Sequence, residues 1–153
     1  MDIDDLLILE TKIVQKKLVF KFTLADKSIT ELRMAKTIGM IDDVLKSFYR
    51  KDVTKVCFIF IVDSVKLPSN LSLLADFSNK FREYTDIIKE KLDFTIIQSN
   101  NGLFKIFFSL FKQFYVPIKP LYICETEEST EECLTNSIER EKKSNISNMV
   151  DKK

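Results

Sequence analysis

The stretch from Val56 to Asp63, Val-Cys-Phe-Ile-Phe-Ile-Val-Asp, constrains the fold more than any other part of the chain. It is an unbroken run of β-branched and aromatic residues that ends in an acid, a pattern typical of a strand buried on both faces. Long helical patterns lie on either side of it. We therefore expect the central strand of an α/β sheet, with Asp63 at the carboxyl edge, where open sheets carry their ligand sites.

The hydrophobic pattern predicts one α/β domain over residues 1–138, with a mixed sheet of four to five strands and about four helices in the order ββαβαβαβα. Further strands are predicted over residues 5–9, 18–24, 94–98 and 121–124, the first two forming an amino-terminal β-hairpin. Helices are predicted after the capping box Ser28-x-x-Glu31, over residues 71–91 and 103–115, and after a second box, Ser129-x-x-Glu132. Residues 139–153 are charged and lack apolar periodicity, which predicts a disordered tail.

The composition argues against several classes of enzyme. The chain has no histidine, so the commonest general base and the commonest transition-metal ligand are both missing. Its three cysteines, Cys57, Cys124 and Cys133, have no metal-ligand spacing, and an odd number gives no closed disulfide framework. Its two glycines are far apart and form no phosphate-binding loop. We therefore expect a protein that is not an enzyme and binds neither a metal nor a cofactor.

Charge and hydropathy bear on partners and location. The formal net charge is +1 at pH 7, so we expect no nucleic-acid partner. No apolar run reaches the roughly 18 residues of a membrane-spanning helix, and the acidic amino terminus differs from a signal peptide. A small number of cysteines with no pairing pattern is typical of a protein in a reducing compartment. The expected location is the cytoplasm.

The predicted helix over residues 103–115 is unusually apolar. At about 100° per residue, its apolar side chains cover an arc of roughly 200°, where a surface helix needs little more than 100°. One interpretation is that the helix is wedged deeply in the core. The other is that Phe104, Phe108 and Phe111 form a hydrophobic contact face for a partner subunit, a lipid or a membrane surface.

The order of elements, together with Phe60-Ile-Val-Asp-Ser64 and Leu67-Pro-Ser-Asn-Leu71, resembles the STAS domain, the anti-sigma-factor-antagonist fold. The resemblance covers about residues 5–138. It implies that Asp63 matches the acid at the family's strand end and that Ser69 matches the family's phosphorylatable serine. Pro68 stands where the family has a second acid, and Asn70 where it usually has glycine.

A second resemblance covers the last third of the chain. The strand and turn from Phe94 to Phe104, with the Phe-rich helix leading to Pro117, are similar to the CRAL-TRIO lipid-exchange domain, in which such a helix floors a lipid cavity. This resemblance implies a lipid-binding module that uses the helix over residues 103–115.

The sequence therefore leaves two functions open. The favoured one is a non-enzymatic cytoplasmic regulatory module that presents Asp63, Ser64, Ser69 and Asn70 to a protein partner, with Ser69 as a candidate phosphorylation site. A homodimer is a further expectation. The alternative is the lipid-binding module, with a lipid or membrane surface as its partner.

Overall fold

The computed structural model describes residues 6–25, 27–62, 72–99, 109, 112 and 118–138. Its strands are β1 (Leu7–Val14), β2 (Lys17–Leu24), β3 (Val56–Ile61), β4 (Leu92–Gln98) and β5 (Leu121–Cys124). Its helices are α1 (Glu31–Ser47), α2 (Ser72–Glu83) and α3 (Thr85–Lys91), followed by α4 over residues 127–138. The predicted fold class, a mixed α/β sheet with an amino-terminal hairpin, is confirmed.

The five strands lie in the sheet in the same order as in the chain, β1-β2-β3-β4-β5. β1 and β2 are antiparallel, whereas β2, β3, β4 and β5 are mutually parallel along the sheet. β3 is therefore the central strand, as its continuous apolar run predicts. Its phenylalanines lie beside those of β2, with the rings of Phe22 and Phe60 stacked at 4.8 Å between centroids.

The sheet has two apolar faces, and different helices cover them. The face that packs against α1, α2 and α3, here the α1 face, carries Phe20, Phe22, Phe58 and Leu92. The opposite face, here the α4 face, packs against Leu134 and Ile138 of α4 and carries Val19, Cys57, Ile59, Phe94 and Ile96. Alternate residues of β2 point to opposite faces, as its alternating pattern predicts.

The turn between β1 and β2 consists of Gln15 and Lys16, which have φ angles of 49° and 71°. A two-residue turn with two positive φ angles normally contains Asn-Gly or a similar pair. Gln15 and Lys16 are not such a pair, so the sequence contains no recognisable turn signature. The strand predicted over residues 5–9 is also longer, because β1 continues to Val14 through exposed polar residues that interrupt its apolar pattern.

We expect Lys16→Gly to raise the free energy of unfolding by about 1 kcal/mol. The left-handed conformation costs a non-glycine residue ~1–2 kcal/mol, and part of that gain is offset by the greater freedom of glycine in the unfolded chain. Urea denaturation measures the change. Lys21→Gly, in the middle of β2, is the matched control and should lower stability. A fall in stability for Lys16→Gly would contradict the turn geometry.

Both predicted capping boxes are wrong. The amino-terminal cap of α1 is Thr30, whose hydroxyl accepts from the backbone N–H of Arg33 at 3.2 Å. Ser28 instead accepts from the guanidinium group of Arg33 at 3.1 Å. At the start of α4, the N–H of Ser129 donates to the hydroxyl oxygen of Thr126 at 3.0 Å, so the helix begins before Ser129. In both places a neighbouring threonine caps the helix in place of the predicted serine.

The helix predicted over residues 71–91 is two helices in the structure. Tyr84 separates α2 from α3, with φ −113° and ψ 23°, outside the helical region. The apolar period continues across this break, which is why the sequence alone shows one helix. No helix within the described ranges is both long and apolar enough to cross a membrane.

Candidate functional site: an apolar cavity

The residues that the sequence singles out lie outside the part of the chain that the structure describes. These are Asp63, Ser64, Ser69 and Asn70 after the central strand, and Phe104, Phe108 and Phe111 of the predicted Phe-rich helix. The predicted tail over residues 139–153 lies outside it as well. The roles assigned to them stay predictions.

Hydrogen bonds tie together the carboxyl ends of the parallel strands, where the sequence places the functional site. The N–H of Val62, which follows β3, donates to the carbonyl of Gln98 at 2.9 Å. Ser99 bridges to both sides: its hydroxyl donates to the Val62 carbonyl at 3.2 Å and its N–H to the Cys124 carbonyl at 2.8 Å. The ends of β3, β4 and β5 are thus linked by hydrogen bonds along one edge of the sheet.

An apolar cavity of about 140 Å³ lies between the α1 face of the sheet and the helices that cover it. The sheet contributes large apolar side chains that include Phe58, Phe60, Val62, Ile97 and Leu121. The helices contribute Met34, Leu74, Phe77, Phe81 and Ile88. Protein interiors are normally packed as densely as organic crystals, so a void of this size is a distinct feature of the molecule.

The residues that line the cavity differ in exposure. Leu74 and Ile88 are almost completely buried, at 0% and 1% of their surface. The connection into β5 supplies Ile118, which is 39% exposed, and half-buried Lys119 and Leu121. Among the described lining residues, the most exposed one, Ile118, therefore lies beside β5.

Few polar groups line the cavity. Among the described lining residues they are Thr37, Thr95 and Lys119. The Thr37 hydroxyl donates to the carbonyl of Arg33 at 2.8 Å and is satisfied within its own helix. Lys119 makes no hydrogen bond or ion pair with any described residue, and it is the only charged side chain among the described residues that line the cavity. Its ammonium group can therefore pair with an acidic group of a ligand.

A cluster of polar side chains outside the cavity holds its helical walls together. The Tyr84 hydroxyl donates to the Asp42 carboxylate at 2.6 Å, and Lys80 and Lys46 approach the same carboxylate at 3.4 and 2.9 Å. The Tyr84 hydrogen bond, helped by Lys46, lowers the pKa of Asp42 to about 2. The same bond raises the pKa of Tyr84 to about 12. The link between α1 and the α2–α3 break therefore persists across the physiological pH range.

Two features of the described residues bear on metal binding and on thiol chemistry. Among them, no group of three or more His, Cys, Asp or Glu side chains is placed to hold a metal ion. Cys124 and Cys133 lie on the α4 face, away from the cavity. Burial, together with neighbouring Cys133, raises the pKa of the Cys124 thiol to about 11, which disfavours the reactive thiolate.

Sequence reasoning did not find the cavity or Lys119. The lining residues belong to the same apolar stripes that build the core, and periodicity does not show where those stripes leave space. Lys119 lies between two prolines, in Pro117-Ile-Lys-Pro120, and a lone cation in a connecting segment carries no recognisable signal. Comparison of the chain with models of known protein families and with curated proteins yields no match.

Proposed function

We propose that this protein is a non-enzymatic binding module that holds a small apolar or amphiphilic ligand between the α1 face and the helices that cover it. The observation that carries the proposal is the cavity of about 140 Å³, whose described lining residues are almost all apolar. An engineered protein cavity of about 150 Å³ lined by Leu, Ile and Phe stays dry and binds benzene. The cavity here therefore suits a single ring or the end of an alkyl chain.

The position of Lys119 narrows the class of ligand. Binding pockets usually combine an apolar lining with a few polar groups that fix the ligand's orientation. Lys119 lines the cavity next to Ile118, the most exposed of the described lining residues. A monocarboxylate with a short alkyl chain fits both features, because its chain would occupy the cavity while its carboxylate pairs with the ammonium group.

This proposal shares its class of ligand with the lipid-binding module implied by the CRAL-TRIO resemblance, but it does not use the Phe-rich helix predicted over residues 103–115. The regulatory module implied by the STAS resemblance, with Asp63 and Ser69 facing a protein partner, is a separate prediction that involves none of the described residues. The two functions differ in a direct measurement, since only the first requires an apolar ligand in the isolated protein.

A chain-length series tests the proposal. Straight-chain carboxylates from butanoate to decanoate are titrated into the protein and followed by NMR chemical-shift changes. Each added methylene should tighten binding about fourfold until the cavity is full, because burying one CH₂ contributes about 0.8 kcal/mol. Affinity should then stop rising. The length at which it stops measures the usable depth of the cavity.

Two substitutions supply the controls. Thr95→Phe places a large ring into the cavity and should abolish hexanoate binding. Thr95→Val replaces the hydroxyl with a methyl group of similar size and should retain hexanoate binding. Lys119→Met should weaken hexanoate binding and leave hexan-1-ol binding unchanged. If a folded Thr95→Phe variant binds hexanoate as well as the natural protein does, the ligand is not in this cavity.

A further inference from the structure

The outer edge of β1 is an open hydrogen-bonding surface within the described structure. β1 pairs with β2 on one side only and is the first strand of the sheet. Ile13 is 74% exposed, and Glu10 and Thr11 are exposed as well. β1 contains no proline and its pairing with β2 has no irregularity, although natural proteins commonly use such features to protect an edge strand.

The turn geometry identifies which backbone groups point outward. Val14 and Lys17 flank a two-residue turn and therefore exchange hydrogen bonds, as does every second pair after them. Lys12 and Glu10 thus bond inward to β2. The N–H and C=O groups of the alternate residues, Leu9, Thr11 and Ile13, point away from the sheet, and no described residue bonds to them.

When two copies of β1 are aligned antiparallel, charged residues of one copy lie opposite residues of opposite charge in the other, and apolar residues lie opposite apolar residues. If two copies pair antiparallel around a two-fold axis at Thr11, Glu10 lies opposite Lys12 of the partner subunit, and Lys12 opposite the partner's Glu10. Leu9 then lies opposite the partner's Ile13. The outward-pointing residues face one another in this register, so their backbone groups can bond.

Moving the two-fold axis by one residue, to Glu10 or to Lys12, also lets the outward-pointing backbone groups bond to each other. Both of these registers are disfavoured. With the axis at Glu10, that carboxylate lies opposite the partner's Glu10, and with the axis at Lys12 the two lysines lie opposite each other. Like charges directly opposite are destabilising in antiparallel pairs, while opposite charges stabilise them. Lys12 already contacts Glu131 of α4 at 3.1 Å, which holds its ammonium group on the same face as Glu10.

We propose that β1 is a self-association surface, through which two copies of this chain form an antiparallel dimer centred at Thr11. The sheets of the two copies become continuous, and the exposed side chain of Ile13 is covered by the partner's Leu9. One strand pair is a small interface, so the dimer is weak and its population depends on protein concentration. This surface is separate from the cavity and does not depend on ligand binding.

Thr11→Pro is the first test. The proline removes the outward N–H at the centre of the proposed contact, but Thr11 and Phe20 form a pair that exchanges no hydrogen bonds, so the β1–β2 pairing is kept. Sedimentation equilibrium should show a concentration-dependent dimer for the natural protein and a monomer for Thr11→Pro at every concentration. Thermal melting checks that the variant remains folded.

Charge reversal provides a second test that does not depend on the proline. Glu10→Lys and Lys12→Glu should each weaken the dimer about tenfold or more, because each creates two pairs of like charges across the axis. The double variant should recover most of the affinity, since its charges are again complementary. A natural protein that stays monomeric up to millimolar concentration would overturn the proposal. A dimer whose affinity ignores the charge reversals would also overturn it.

Discussion

Ile59→Asp is expected to abolish folding. Ile59 has 0% of its surface exposed and lies in the middle of β3, where it packs in the α4-face core with Leu134 and Ile138. An unpaired buried carboxylate costs several kcal/mol, against a total stability of roughly 5–15 kcal/mol for a domain. Circular dichroism and thermal melting of the purified variant measure the loss.

The sequence predicts the same loss of folding for Ile61→Asp. In the structure, however, Ile61 is less buried than Ile59. Ile61 is only half-buried, so its aspartate should keep partial hydration and destabilise the protein less. Leu32→Asp is a suitable control because Leu32 is 64% exposed in the first turn of α1, where an acid is favourable. An Ile59→Asp protein that melts at the natural temperature would show that the central-strand assignment is wrong.

Asp93→Ala is expected to lower the free energy of unfolding by about 3–5 kcal/mol, which is typical when one partner of a buried ion pair is removed. The Asp93 side chain is 4% exposed and pairs with Lys17, which is 12% exposed, and with Lys55 at 3.6 Å. These contacts connect the start of β2 to the start of β4 across the central strand. The variant leaves the ammonium group of Lys17 without its carboxylate in a largely dry site.

The matched control for Asp93→Ala is Asp52→Ala. Asp52 pairs with Arg50, but both side chains are 67% exposed, and such surface pairs contribute about 0–1 kcal/mol. Urea denaturation of the two variants compares the buried pair with the exposed one under the same conditions. Equal losses of stability would mean that the contacts of Asp93 do not hold the strands together.

Regular elements could be predicted from the sequence because their periodicity reflects burial on one or two faces. The stripe of α1 that contains Met34, Ile41 and Leu45 is buried as its spacing predicts. The ends of elements were less predictable, because adjacent serines and threonines compete to cap a helix. The β1–β2 turn was missed for a different reason: Gln15 and Lys16 adopt a conformation that their side chains do not favour.

The candidate site was less predictable than the fold. A cavity depends on how side chains from several elements fail to fill the space between them, and no local pattern records that property. Phe58 and Phe77 have the same apolar character whether they pack tightly or line a void. The charge complementarity of β1 is present in the sequence, but it has meaning only once β1 is known to lie at an edge of the sheet.

The strands lie in the sheet in the order in which they are synthesised, and this order affects folding during translation. Each parallel strand joins one that has already been synthesised, so the sheet can grow while the chain emerges from the ribosome. The helices α1 to α3 arrive between strands and cover one face as it forms. Among the described elements, α4 over residues 127–138 covers the other face, with Val19, Ile59 and Phe94, and it is the last to be synthesised. Until α4 has been made, no described element covers this apolar surface, and exposed apolar surfaces of this kind bind chaperones and drive aggregation.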